Sequence, residues 1–361
     1  MDEEDSYVTE YVDHIDVWFE KSVCQPFLVV IPRKLSPNTI TFFNLICKLC
    51  SFGLCCSAVL FFEMGPESAT NSERAVMSLI LSGLLAFVCM TLDYFDGMHA
   101  RATSQCSTFG MVYDHWVDAF AVPCTTILLQ LAVNGGVVGD LLGMLSSAVF
   151  GCQLVLWSKN PKHVWVHPPV GGASAQLSVI GFMILCAGME HAGMSRTGNE
   201  MHVLAFAVQA SGFWGCIYNC WFLMQRMGEE KKHLVGYFTV QFSLVAAYLL
   251  QNSNEPLWLN VHKNSVPRSI NCIPWLSPFA FYCLSMAFGL HVNGGMCLYH
   301  AAKLPDKKLG PGLGISVVTY AIAILLFSMI GQTHDYVVYL PYVASLHMVL
   351  AAIYDIVFKF Q

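Results

Sequence analysis

Charge is what this sequence has least of. Asp, Glu, Lys and Arg together make up 12% of its 361 residues, about half the share found in a soluble domain. That scarcity excludes an ordinary water-soluble fold. The net charge is −6, so no basic surface is available for a nucleic-acid partner. Residues 1–6, MDEEDS, are acidic where the leader of a cleavable signal peptide is basic, and no such peptide is expected. Linkers and low-complexity tracts are lacking, and there is no internal repeat of the kind that builds transporters from matching halves. Cysteine is not scarce, at fifteen, but the company a zinc site needs is missing. Cys47 and Cys50 form a C-x-x-C, followed by Cys55 and Cys56, all inside one apolar run with no second His or Cys pair nearby. They read as ordinary thiols facing lipid or a neighbouring helix.

Apolar residues fill the space that charge leaves. They make up 55% of the chain, in continuous runs of about the 20 residues that cross a hydrocarbon core. The runs do not alternate, which argues against a membrane β-barrel. The fold class is therefore an all-α polytopic membrane protein with about ten transmembrane helices. The spans are expected at 37–62, 75–97, 108–132, 137–157, 174–189, 202–225, 234–250, 273–302, 313–331 and 337–358. Ahead of them, Tyr7, Val8, Tyr11, Val12, Ile15, Trp18 and Phe19 share one helical face, with Glu10, Asp13 and Asp16 opposite. That pattern predicts an N-terminal amphipathic helix lying at the membrane interface. With the N-terminus cytosolic, thirteen basic residues, Arg101 among them, fall on the cytosolic side, against Arg74, Arg196, Lys263 and Arg268 on the other. Both termini are thus expected in the cytosol. Residues 1–36 form a cytosolic N-terminal segment, and 37–361 a single membrane domain.

Against this background, residues 93–120, DYFDGMHARATSQCSTFGMVYDHWVDAF, stand out. Asp93 and Asp96 close the second span three residues apart; Asp114 and Asp118 lie in the third, four apart. Either spacing puts a pair on one helical face, and the short polar connection makes the two helices antiparallel neighbours. All four carboxylates are expected to converge at the cytosolic edge. A carboxylate in the middle of a span costs about 2.5–3.5 kcal/mol, less near the interface, and four like charges repel. Arg101 is the only fixed cation expected nearby. Either some carboxylates stay protonated or bound cations compensate. Hard divalent ions such as Mg²⁺ or Mn²⁺ take oxygen ligands and hold phosphates alongside; two would clamp a pyrophosphate. A carboxylate pathway for protons or cations, as in a cation-coupled transporter, is the alternative. Lys48, one-third of the way along the first span, is expected to turn its ammonium toward a polar cavity or a lipid phosphate. His163 and His167 read as a solvated loop, and His291 and His347 as interhelical hydrogen-bonding groups.

The spacing D-x2-D-G-x2-A-R-x8-G-x3-D-x3-D resembles the signature of the CDP-alcohol phosphotransferase family. It is filled by Asp93, Asp96, Gly97, Ala100, Arg101, Gly110, Asp114 and Asp118. Eight fixed positions make it a specific motif. Residues 36–41, SPNTIT, resemble the segment opening the first span of the eukaryotic choline and ethanolamine phosphotransferases, and Asp114-His115 the Asp-His pair of that branch. The resemblance implies an enzyme with a catalytic core over about 37–225. Such an enzyme transfers a phospho-alcohol from CDP-ethanolamine or CDP-choline to diacylglycerol or an alkylacylglycerol, releasing CMP. It implies two Mg²⁺ or Mn²⁺ ions on Asp93, Asp96, Asp114 and Asp118. The CDP-alcohol would be bound by Asn38, Thr41, Gly97, Ala100, Arg101 and Gly110. His115 and Asp118 compete as catalytic base, and His115 has the better placed unperturbed pKa. An endoplasmic reticulum or Golgi membrane, a cytosol-facing site and a homodimer follow from the same resemblance. The chain departs from that branch at Met98-His99, Ala102, Met111 and Trp116, which leaves headgroup and acceptor open. A CDP-diacylglycerol enzyme, for example one with an inositol acceptor, shares the core signature.

Overall fold

The computed structural model describes residues 13–64, 69–107, 109–111, 113–118, 145–146, 149, 169–192, 199–225 and 245. All regular structure among them is helical. A short entry section comes first: α1 (His14–Phe19), a π-helical turn (Glu20–Cys24) and α2 (Gln25–Leu28). Four long helices follow: α3 (Pro37–Met64), α4 (Ala69–Thr103), α5 (Gly172–His191) and α6 (Asn199–Met224). Residues 109–111 and 113–118 are helical as well. Three helices contain stretches long and apolar enough to cross a membrane: Pro37–Ala58, Thr70–Thr103 and Gly172–His191. These match the spans expected from residues 37, 75 and 174. The third expected span is described only to Asp118. Those from 137, 234, 273, 313 and 337 fall almost wholly outside the described residues, as do His163, His167, His291 and His347.

Helix ends follow local chemistry. Pro37 opens α3, where its missing N–H and fixed φ cost nothing. At 35 residues, α4 extends about 52 Å, well beyond a hydrocarbon core of about 30 Å. Its charged end can therefore stand in the polar interface. That end is closed by Ser104 in the left-handed region (φ 57). Gln105 N–H donates to Ala100 C=O at 2.9 Å and Ser104 N–H to Arg101 C=O at 3.4 Å, the double closure usually made around glycine. Ser107 starts the next helix by accepting the Gly110 amide on its hydroxyl at 3.0 Å. His99 reaches the Leu35 carbonyl at 2.9 Å and Gln105 that of Arg33 at 3.1 Å, so the far end of α4 is tied to the approach to α3.

The described residues fall into two compact units. In the one built on residues 13–118 and 169–215, α3, α4 and α5 share a core of Cys55, Ala58, Ala75, Val76, Leu79, Phe182, Met183, Cys186 and Ala187. A second cluster joins Phe19 and Cys24 of the entry section to Met90 and Met98 of α4 and Ala173 of α5. The other unit holds residues 216–225 with 145, 146 and 149, where the Cys220 thiol donates to the Val149 carbonyl at 3.2 Å.

Of the amphipathic helix expected from Tyr7, the described residues hold only α1, His14–Phe19, with Asp13 as its cap; Tyr7–Val12 lie outside them. Trp18 is exposed and Phe19 buried. The acidic face has partners. Asp13 accepts from Ile15 N–H at 2.8 Å, Gly171 N–H at 2.9 Å and Ser174 Oγ at 2.6 Å; Asp16 accepts from Ala173 N–H at 2.9 Å. Both carboxylates thus satisfy the open amides at the start of α5, where the helix dipole favours negative charge. Burial works against ionised Asp13, but those donors hold its carboxyl below the usual range. Burial, with the charge of Asp13 added, pushes the Asp16 carboxyl up. A side chain at Gly171 would collide with the Asp16 carboxylate. Close approach is what glycine permits there.

Candidate functional site

Four polar residues of α3 recur at helical intervals: Thr41, Asn44, Lys48 and Ser51. Spacings of three, four and three keep them on one stripe. Each is buried, and each meets α4. Thr41 Oγ1 donates to Asp96 Oδ2 at 2.6 Å, and Asn44 Nδ2 to Asp93 Oδ1 at 2.7 Å. Ser51 and Ser82 hydrogen-bond each other's carbonyls at 2.9 and 2.7 Å. As the α3 number rises its α4 partner's falls, so the two helices are antiparallel. This seam holds Asp93 and Asp96 at fixed rotamers near the charged end of α4.

Helical residues 113–118 complete the group. Carboxylate oxygens of Asp114 and Asp118 and a ring nitrogen of His115 lie within 4.8 Å of one another. Lys48 Nζ stands 3.4 Å from Asp93 Oδ1 and 3.6 Å from Asp118 Oδ1. The expectation that Arg101 is the only fixed cation near the aspartates is therefore corrected. Among the described residues Lys48 is the cation that pairs with them. Arg101 is exposed, with its guanidinium over Gly97, where a Cβ would come within 3.3 Å of it.

Other residues singled out from sequence are placed as follows. Asn38 and Gly110 meet: a Cβ on Gly110 would lie 3.0 Å from Asn38 Oδ1. Thr41 sits behind Asp96. Gly97 and Ala100 lie in the last turns of α4, and Ala100 offers its carbonyl to the helix closure. Of the departures from the family pattern, Met98 packs against the entry section and His99 bonds Leu35, so both are used in packing. Sequence reasoning missed Asn44 and Ser51 and did not pair Lys48. The signal was the polar stripe inside an apolar run, where an uncompensated polar group is costly.

Does this arrangement suit divalent ions? Asp96 is 3% exposed and Asn44 is fully buried. Among the described residues Asp96 Oδ1 and Asn44 Oδ1 have no hydrogen-bond donor, although burial without one costs about 1–3 kcal/mol. The donor set is oxygen-rich with one imidazole, which is hard-cation chemistry. Among the described residues four carboxylates outnumber the one ammonium paired with them. The donor set among the described residues fits a hard divalent cation, and Thr41 and Asn44 orient the Asp96 and Asp93 carboxylates.

Residues 34–213 match the model of the CDP-alcohol phosphatidyltransferase family. The chain is similar to cholinephosphotransferase 1 of Rattus norvegicus, 32% identical over 112 residues, which are 31% of this chain and 26% of that protein. It is similar to ethanolaminephosphotransferase 1 of Homo sapiens, 28% identical over 130 residues, 36% of this chain and 30% of that one. A third similarity is to CDP-diacylglycerol–serine O-phosphatidyltransferase of Encephalitozoon cuniculi, 34% identical over 106 residues, 29% of this chain and 25% of that one. The matches thus span between a quarter and a third of these relatives.

Proposed function

We propose that this chain, which belongs to the CDP-alcohol phosphatidyltransferase family, transfers phosphoethanolamine or phosphocholine from a CDP-alcohol to a lipid hydroxyl. Diacylglycerol or an alkylacylglycerol is the acceptor and CMP the leaving group, in phospholipid synthesis. The observation that supports this most is that Lys48 Nζ lies within 3.6 Å of both Asp93 and Asp118, beside the Asp114–His115–Asp118 group, while buried Asp96 Oδ1 has no hydrogen-bond donor among the described residues.

Two divalent ions bound here would neutralise the diphosphate and stabilise the charge that grows on departing CMP. The chain's own residues do the rest. Thr41 and Asn44 fix the Asp96 and Asp93 carboxylates, so little reorganisation is left for the moment of transfer. Gly110 leaves room for Asn38 against the nucleotide, and Gly97 lets Arg101 lie along the helix end, where its guanidinium can meet a phosphate. The acceptor oxygen attacks the phosphorus bearing the alcohol, the bond from that phosphorus to the CMP oxygen breaks, and a ring nitrogen of His115 takes the hydroxyl proton. Asp118, committed to cation binding, is a poorer proton acceptor. A cytosol-facing site in the endoplasmic reticulum or Golgi membrane and a homodimer belong to the same reading.

The similarity to a CDP-diacylglycerol enzyme favours a second reading, in which the lipid is on the donor and a small alcohol such as inositol attacks. Purified protein given CDP-choline, CDP-ethanolamine, or CDP-diacylglycerol with inositol, side by side with Mn²⁺, separates the two. CMP release that needs diacylglycerol supports the first; release only with CDP-diacylglycerol supports the second. Cation flux without CMP in any arm overturns both in favour of a transporter. His115→Ala is expected to lower turnover far more than CDP-alcohol binding; equal losses would make His115 structural.

A further inference from the structure

Lys48 is a cation where the chain needs room for other cations. Its Nζ lies 3.4 Å from Asp93 Oδ1 and 3.6 Å from Asp118 Oδ1, so one ammonium bridges the α4 pair and the pair at 114–118. The side chain is only 6% exposed, so it cannot swing out to water without opening the α3–α4 seam. Asp93 Oδ1 already accepts from Asn44, leaving little capacity for a third partner. The remaining ligands divide unevenly. Among the described residues Lys48 makes its ion pairs with Asp93 and Asp118, not with Asp96 or Asp114, and Asp96 Oδ1 has no hydrogen-bond donor there. A divalent ion arriving between Asp93 and Asp118 meets an ammonium already seated there.

We infer that Lys48 is a built-in competitor for one of the two cation positions, so that this site binds its ions with unequal strength. The ammonium holds Asp93 and Asp118 together before that position fills. On filling, it must give up at least one carboxylate and stay beside the ion, and like charges so close repel strongly in a poorly solvated site. The first ion binds through Asp96 and Asp114, the carboxylates Lys48 does not pair with, and the second binds weakly until an anion joins it. A diphosphate supplies that anion and gives the displaced ammonium a new partner. Occupancy of the second position thus becomes linked to the nucleotide. This inference rests on the two-ion reading of the site.

The test is a Mn²⁺ titration of the full chain in lipid nanodiscs, with free Mn²⁺ followed by electron paramagnetic resonance. Wild type is expected to bind one ion well and a second at least about tenfold more weakly. CDP-ethanolamine should tighten the second. Lys48→Met should tighten the second ion by about tenfold or more without nucleotide, and Lys48→Arg should keep the wild-type inequality. Thermal unfolding guards against a folding defect. Metal-free Lys48→Met should be less stable than wild type yet gain more stability from saturating Mn²⁺, and Lys48→Gln should behave alike. Wild-type and Lys48→Met isotherms that superimpose would overturn the role of Lys48 while leaving the two-ion site standing. No bound Mn²⁺ in either protein would overturn the two-ion reading itself.

Discussion

Helices α3 and α4 meet along one seam with two unlike halves. From Thr41 to Ser51, α3 faces its partner with hydroxyl, amide and ammonium groups, each bonded across the seam. Around Cys55 and Ala58 it packs against Ala75, Val76 and Leu79, and α5 packs onto the same cluster. Both halves bury their side chains. The apolar half is held chiefly by close packing, because lipid is as apolar as the helix and hydrophobic transfer adds little. The polar half gains less from packing, yet its directional bonds fix where two carboxylates point. One half keeps the helices together; the other sets the geometry of charge.

Substitutions in each half should therefore separate stability from cation binding. Asp96→Asn should lower CMP release by more than about 100-fold, beyond the loss of a residue that merely orients a ligand. Its size-exclusion profile and helical circular dichroism should remain those of wild type; full activity would remove Asp96 from the cation site. Leu79→Ala, in the apolar half, should cost about 2–5 kcal/mol in thermal or denaturant unfolding, while Mn²⁺ affinity stays unchanged in protein still folded. Thr41→Val keeps the shape and removes the hydrogen bond to Asp96. It should weaken Mn²⁺ binding or activity by about 10–100-fold, with recovery in Thr41→Ser; equal behaviour of the two variants would make the bond unimportant. Ser104→Gly, outside both halves, relieves the left-handed backbone at the end of α4. It should raise stability by about 1 kcal/mol and leave activity alone.

The aspartates were legible in the sequence because charge inside apolar runs is costly and their spacing fixes their faces. Pro37 marked the start of α3, and continuous hydropathy marked α5 despite its modest length. The partners of Lys48 were not legible. Its pairing with Asp93 depends on the register of two helices across 45 residues, which no local rule supplies. The same holds for Asp13 and Asp16, which reach the start of α5 from more than 150 residues away. Ser104 gave no warning either, since a left-handed closure is usually announced by glycine. The stripe Thr41, Asn44, Lys48, Ser51 was readable in principle. Its period is helical, and buried polar groups in a membrane helix face one another rather than lipid.

The central claim is that carboxylates from two neighbouring helices hold divalent ions that grip a diphosphate. Electron–nuclear double resonance on Mn²⁺ bound to the full chain tests it most directly, by reading the phosphorus coupling to the ion. Adding CDP-ethanolamine to wild type should produce a ³¹P coupling from directly bound phosphate, and Asp96→Asn should lose it. A bound nucleotide with no phosphorus coupling in wild type would contradict the account.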